Sequence, residues 1–342
     1  MSDAVSKARA CDAAGKHNEA IAHLVAGAQQ RDADAITLLG KRLLIGDRAP
    51  NLPRDGASLI TEADTLGSGE AAAILAVLYA LGTKPNHGLE DALSSLVSAA
   101  ERGWQPAREQ LLLLAEAPDE SSAVSDWADV AGRIDLDVWR TAPPGEDLSQ
   151  SPHIRSMPGF ASNAVCGWLI EKAGSRLTRA LVYEALSKKT TVSTTRTNTV
   201  ANMNMLDADL VTVLVQNRIA ASLNLSIRQL EPLAVLHYSE GEEITEHYDF
   251  VDPDIPNHEE VVRQKGQRIV TFLLYLNDDY EGGETRFCKL GIDHKGRRGE
   301  ALFFVNAHPD GSANVETLHA GRPPVNGEKW VVSQFVRNRS TF

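Results

Sequence analysis

Tyr238-Ser239-Glu240-Gly241-Glu242-Glu243-Ile244-Thr245-Glu246-His247-Tyr248-Asp249-Phe250 is the stretch on which the reading of this chain turns. Gly241 marks a turn, and His247-x-Asp249 follows it. In a strand, side chains two apart point to the same face. The His247 imidazole and the Asp249 carboxylate can therefore grip one metal ion together. Two ligands leave a site unfinished, so a third must arrive from elsewhere in the fold. His319 lies seventy residues beyond Asp249, after the intervening strands. Two histidines and one carboxylate occupy one face of an octahedron and leave three positions open, a donor set that suits iron(II). His-x-Asp by itself also describes an ordinary surface or core histidine beside an acid, so the surroundings decide.

Lys329 comes ten residues after His319, with the turn Pro323-Pro324-Val325-Asn326-Gly327 between them. On a strand, Lys329 shares a face with Val331, Ser333 and Phe335, an inward row that can carry the ammonium group to a carboxylate-bearing guest. Tyr238 precedes His247 by nine residues, and its phenol can donate a hydrogen bond to the same guest. His237, His258, His294 and His308 compete for the third ligand position. None has a lysine ten residues later on an expected strand, so they read as structural or exposed. Gly282-Gly283 reads as a turn, because no helix start or phosphate-loop lysine follows it. No Ser-His-Asp or Cys-His order has supporting context.

Outward from this core, Leu233–Tyr238, Arg268–Leu276, Ala301–Val305 and Trp330–Val336 are rich in β-branched and aromatic residues and are separated by turn signals. No helix of useful length is expected between them. The sheet should be mostly antiparallel, as in a jelly-roll or double-stranded β-helix. Flanking helices are expected over Ser162–Gly174, near Thr178–Ser187 and over Ala208–Leu223. The first ~115 residues behave differently, with Ala and Leu at helical spacing. Ala35-x-x-Leu38-Leu39-Gly40 recurs as Ala71-x-x-Ile74-Leu75-Ala76 and as Ala107-x-x-Gln110-Leu111-Leu112, offset by 36 residues each time. Gly46 and Gly82 keep the same offset, as do Gly67 and Gly103. A degenerate unit runs from Lys16 to Ala35. Each unit reads as helix, Gly-marked turn, helix, and resembles a Sel1-type repeat, a relative of the tetratricopeptide repeat. Such pairs stack into a solenoid that binds peptides or proteins, or they form a helical cap. The expected division is a helical repeat domain over 1–117, a linker with a short helix around Trp127–Trp139 over 118–152, and the jelly-roll domain over 153–342.

From about Pro158 to Arg337 the chain resembles the prolyl 4-hydroxylases of the 2-oxoglutarate/iron(II) dioxygenase superfamily. The motifs stand in order: the Tyr238–Phe250 stretch, then Gln267-Arg268-x-x-Thr271-x-x-x-Tyr275-Leu276-Asn277. Gly282-Gly283-Glu284-Thr285, Gly299-Glu300-Ala301-Leu302-Phe303-Phe304 and His319-Ala320-Gly321-x-Pro323-Pro324-Val325-x-x-Gly327-Glu328-Lys329-Trp330 follow. The resemblance implies that His247, Asp249 and His319 bind Fe(II) and that Lys329 binds the 5-carboxylate of 2-oxoglutarate. It further implies that Tyr238 and Thr271 assist with that cosubstrate, and that ascorbate helps to keep the iron reduced. The reaction it implies is O2-dependent hydroxylation of a prolyl residue in a peptide or protein, with 2-oxoglutarate converted to succinate. Arg196-Thr197-Asn198 resembles a family stretch near the substrate groove, which makes Arg196 a substrate candidate. Phe335 stands where relatives often carry Trp, so the floor of the substrate pocket should differ. Asp252-Pro253-Asp254-Ile255-Pro256 should belong to a mobile loop over the site. A hydroxylase of a free amino acid or small metabolite, and a repeat scaffold with a non-catalytic barrel, are the alternatives.

Charge is unevenly placed. Of the net −12, residues 1–150 carry 13 Lys+Arg against 23 Asp+Glu, or −10, and the remainder 21 against 23, or −2. An acidic N-terminal half argues against a nucleic-acid partner and suits a basic peptide or protein. Cys11, Cys166 and Cys288 are scattered and odd in number, so neither a disulfide framework nor a Cys-type zinc site is expected. With no signal-peptide layout at the N-terminus and no apolar run long enough to span a bilayer, the expectation is a cytoplasmic protein without a membrane partner.

Overall fold

The computed structural model describes residues 2–117, 126–180, 182–184, 189–191, 195–252, 254–308 and 311–341. It separates into two compact units, one of residues 1–137 with 205–214 and one of residues 138–204 with 215–342.

The first unit is helical, and its phase repays the 36-residue offset. Helices His17–Gln29, Pro53–Thr65 and Leu89–Glu101 begin 36 residues apart, and so do Ala33–Ile45, Gly69–Ala80 and Gln105–Leu114. The degenerate unit expected at Lys16 is thus a full member, and a further helix, Asp3–Ala13, packs against it. Local chemistry sets the ends. Asp32 accepts from the backbone of Asp34 and Ala35, Ser68 accepts from Ala71, and Pro53 occupies a first-turn position where its missing N–H costs nothing. Gly46 ends its helix in the left-handed region at φ 74°, a conformation that favours glycine. Close approach depends on small residues: a Cβ on Gly56 would meet Gly40 O at 2.8 Å, and one on Gly40 would meet Ile60 Cδ1 at 2.9 Å. Leu24, Ile36, Ile60 and Leu96 are completely shielded, each contributing about 1.5–3 kcal/mol. Exposed pairs such as Lys7–Asp3 contribute roughly 0–1 kcal/mol. Apolar contact therefore holds this unit together. The short helix expected near Trp127 is Trp127–Ala131, followed by a 3-10 turn at Asp137–Trp139.

The second unit is built on two antiparallel sheets. The larger runs Glu146–Gln150, His153–Met157, Ala301–Val305, Arg268–Tyr275, Lys329–Arg337, Ala234–Tyr238, Thr199–Asn202 and Thr178–Arg179. The smaller runs Ile292–His294, Thr285–Phe287, His319–Gly321 and Ile244–His247. Leu236, Tyr275, Phe287, Leu302, Phe304 and Val331 pack as one apolar cluster drawn from both, the layered arrangement of a double-stranded β-helix. The first sheet strand lies at 146–150, inside the segment read from sequence as linker. Helix Asn163–Gly174 starts from Ser162, whose Oγ accepts from Val165 N, as expected.

Two sequence expectations are corrected. The helix expected near Thr178–Ser187 is absent over its described part: Thr178–Arg179 joins the large sheet and Val182–Glu184 pairs with Lys189–Thr191. The β-branched and aromatic residues Thr178, Val182, Tyr183, Thr190 and Thr191 favour a pleated strand over the helix suggested by the intervening Ala and Leu. Residues 185–187 lie outside the described set. Between the strands where no helix was expected, His258–Lys265 forms one, closed by Gly266 at φ 78°. It follows the Asp252–Pro256 stretch, of which Pro253 lies outside the described residues. The helix expected over Ala208–Leu223 runs Leu210–Leu223. No helix among the described residues is long and apolar enough to cross a membrane.

Candidate active site

His247 ends one strand of the small sheet and His319 begins its neighbour, and the pairing register sets them directly opposite. Asp249 follows two residues after His247. Asp249 Oδ1 is 3.5 Å from His247 Nε2, and Asp249 Oδ2 is 3.4 Å from His319 Nε2. The three donor atoms all lie within 4.8 Å of one another, the one such cluster of three or more metal-ligating residues found among the described residues. The intervening Tyr248 packs against Phe250.

Outer contacts prepare these groups for a cation. His247 Nδ1 lies 2.8 Å from Thr245 O, and His319 Nδ1 lies 3.0 Å from Thr317 O. A carbonyl oxygen only accepts, so each Nδ1 carries the hydrogen and each Nε2 presents its lone pair. Thr271 Oγ1 donates to Asp249 Oδ2 at 2.7 Å. Burial alone would raise the Asp249 carboxyl, but the two imidazoles and the Thr271 hydroxyl outweigh it and hold the group well below the usual carboxylate range. Burial pushes His319 down to about 4, with His247 adding to the effect. His247 is raised, since Asp249 outweighs the opposing effect of burial. An ionised carboxylate between imidazoles that present Nε2 lone pairs fits a divalent iron with open positions.

A cavity of about 750 Å³ opens beside the three ligands, and Lys329, Tyr238 and Thr285 line it. Lys329 stands opposite Tyr238 in the large sheet and is 2% exposed. Its Nζ donates to Gly283 O at 2.7 Å and lies 5.2 Å from the Tyr238 ring and 5.6 Å from that of Tyr275. Burial lowers the ammonium to about 8, against the opposing pull of Glu284. A buried cation with hydrogens to spare is a receptor for a carboxylate. Tyr238 is buried and its phenol is raised by desolvation, so it stays protonated and able to donate. Val331, Ser333 and Phe335 line the same cavity, as the alternation along the strand requires.

Thr271 is placed differently from the sequence expectation of a contact with 2-oxoglutarate. Its hydroxyl donates to Asp249 and accepts from Asn306 Nδ2 at 2.8 Å, so both capacities are engaged beside the metal ligand. Thr285 takes the cavity position beside Lys329, with Oγ1 2.8 Å from the Tyr275 hydroxyl. The alternation of Thr285 and Phe287 could have flagged it, but the Gly-Gly dipeptide before it drew the reading toward a turn. Arg196 lines the cavity, with Nε 3.3 Å from Asn198 Oδ1. Phe335 also lines it, and the Arg268 guanidinium lies 3.7 Å from its ring centroid. Glu231 accepts from Arg268 at 2.7 and 2.9 Å and from Arg337 at 2.7 Å. The rival histidines are engaged elsewhere: His237 contacts Thr199 and Glu328, His258 contacts Asp252 O, and His294 lies 3.3 Å from Glu300. His308 holds a loop through its backbone.

A sequence profile described as the 2OG-Fe(II) oxygenase superfamily matches residues 233–337. Probable prolyl 4-hydroxylase 9 of Arabidopsis thaliana is 30% identical over 216 residues, covering 57% of this chain and 72% of that protein. The chain spans 65% to 75% of the length of the first plant relatives of this kind. The crystal structure of a viral collagen prolyl hydroxylase from Paramecium bursaria Chlorella virus-1, in complex with 2OG, is 27% identical with a TM-score of 0.42, covering 54% of this chain and 95% of that one. A Sel1 repeat protein from Oxalobacter formigenes is 20% identical with a TM-score of 0.28, covering 36% of this chain and 52% of that one.

Proposed function

We propose, on the premise that this chain belongs to the prolyl 4-hydroxylase family of 2OG-Fe(II) oxygenases, that it hydroxylates a prolyl residue in a peptide or protein. One oxygen atom of O2 enters the C–H bond of the substrate and the other enters 2-oxoglutarate, which leaves as succinate and carbon dioxide. The observation that carries this reading is the convergence of His247, Asp249 and His319 beside a buried lysine in one cavity. Bound iron would supply O2 activation and the two-electron chemistry of the cosubstrate.

The chain's own residues do the rest. His247 and His319 offer Nε2, Asp249 offers its carboxylate, and the three share one side so that the opposite side stays open. Lys329 holds the far carboxylate of 2-oxoglutarate, with Tyr238 and Thr285 supplying hydroxyls beside it. That grip aims the keto-acid end at the metal and excludes water from the deep end of the cavity. Arg196 and Phe335, which line the same cavity, contact the substrate. The acidic helical unit recruits substrates that carry basic segments.

The test is to incubate the Fe(II)-loaded chain and 2-oxoglutarate with proline-containing peptides, with and without flanking Lys or Arg, and in parallel with free amino acids. Succinate release matched by a mass gain of one oxygen on peptidyl proline is the expected result. Coupled turnover of a free amino acid, with peptides inert, would contradict the substrate assignment.

A further inference from the structure

Strands Arg268–Tyr275 and Ala301–Val305 lie side by side, with Thr271 opposite Phe304. This brings Asn306, one residue beyond the second strand, to the Thr271 hydroxyl. Asn306 is completely buried and Thr271 is 1% exposed. Asn306 Nδ2 donates to Thr271 Oγ1 at 2.8 Å. A hydroxyl that has accepted one hydrogen bond still has its own hydrogen to give, and Thr271 gives it to Asp249 Oδ2 at 2.7 Å. Were the amide reversed, its oxygen would compete with Asp249 for that hydrogen.

The backbone of the same asparagine serves the opposite side of the centre. Asn306 O accepts from Asn314 N at 2.8 Å. Asn314 O accepts from Thr317 Oγ1 at 2.7 Å, and Thr317 O accepts from His319 Nδ1 at 3.0 Å. Two of the three ligands thus trace to one buried residue. Asn306 Oδ1 has no partner among the described residues, and an unmet buried acceptor is destabilising. An apolar residue would avoid that cost, so packing does not explain an asparagine here. The hydrogen bond from Nδ2 does.

We propose that Asn306 and Thr271 are positioning residues for the metal centre, fixing the rotation of the Asp249 carboxylate so that a bound ion meets one held oxygen instead of a swinging pair. The remaining positions are thereby kept for 2-oxoglutarate and O2. This inference concerns the metal centre alone and needs no statement about the substrate.

The experiment is an anaerobic Co(II) titration of the full chain after removal of metal by chelation. Co(II) absorption reports coordination, and the melting temperature of the metal-free protein is followed in parallel. Outer-shell partners commonly set metal affinity by roughly 10- to 100-fold. Thr271→Val should therefore weaken Co(II) binding by about tenfold or more, Thr271→Ser should restore it, and Asn306→Ala should fall between. Wild-type Co(II) affinity and spectrum in both Thr271→Val and Asn306→Ala would overturn the proposal. If Thr271→Val does not fold, Asn306→Ala decides by the same criterion. His319→Ala is the reference. If it also leaves Co(II) binding unchanged, the ion binds elsewhere and the proposal falls with the site, a result distinct from failure of the relay alone.

Discussion

In the helical unit, the residues closed off from water are mostly Ala8, Ala20, Leu24, Ile36, Ile60, Leu96 and their like. In the sheet unit, the buried set also includes Lys329, Thr271, Asn306, Gln334 and Asp249. The first kind of core follows from repeat and periodicity, because apolar burial is the whole of its logic. The second buries polar groups that are costly unless each is answered, and two of those answers stand at the cavity. Gly283 O answers Lys329, and Thr271 answers Asp249. Even where the helical unit buries a charge, Arg42, its partner Asp12 lies in the same unit.

The sharpest way to break this contrast is at Asp249. Asp249→Ala should reduce turnover to background while the chain stays folded, measured by succinate release and far-UV circular dichroism. Unfolding instead would mean that the carboxylate serves structure first. In the helical unit the expectation reverses. Ile60→Ala, at a completely shielded position, should cost about 2–5 kcal/mol of stability by denaturant titration while leaving uncoupled 2-oxoglutarate decay unchanged. A point substitution is cleaner than deleting residues 1–117, because Met205 and Leu206 pack into the same helical core and Leu210 N donates to Gln110 Oε1 at 2.9 Å.

A further test concerns charge. Lys329→Ala removes a buried cation worth roughly 1.5–3 kcal/mol to a bound carboxylate, or about 10- to 150-fold in the 2-oxoglutarate requirement. Substrate KM should move far less, and equal effects on both would remove the assigned role. Burial holds this ammonium at about 8, below the ordinary lysine value of 10.5. The cationic form binds the dianion, so kcat/KM for 2-oxoglutarate should fall as pH rises through about 8. For folding, the sign is opposite: the depressed value favours the fold increasingly between about 8 and 10.5. Lys329→Arg should flatten the kinetic profile, because a guanidinium keeps its charge there. The smallest effect belongs to the partly exposed Arg102–Asp64 pair at 2.5 Å. Asp64→Asn should shift stability by only about 0–1 kcal/mol, with no change in turnover.

Legibility followed the same divide. The helix pairs were readable because 36-residue spacing and small residues act locally, and the strands expected at Ala301–Val305 and Trp330–Val336, the latter found over Lys329–Arg337, were readable from β-branched and aromatic runs. His247 and Asp249 were readable as a close His-x-Asp pair, although the strand ends at His247 and Asp249 lies just beyond it. The role of Thr271 was not, since the direction of its hydroxyl depends on Asn306, which is distant in sequence and meets it only through strand pairing. Thr285 was hidden for a similar reason: its cavity position comes from pairing with His294 and Gly321. The extended course at Thr178–Arg179 is completed by its partners Val200 and Thr199, a pairing that the mixed β-branched and Ala/Leu content of the segment left open.

The most direct measurement is an anaerobic titration of the Fe(II)-loaded chain with 2-oxoglutarate, followed by visible absorption. Two imidazoles and a carboxylate that leave one side of the ion open should give a weak charge-transfer band saturating at one cosubstrate per chain, lost in Asp249→Ala and right-shifted in Lys329→Ala. No band, or one that persists unchanged in Asp249→Ala, would contradict the account.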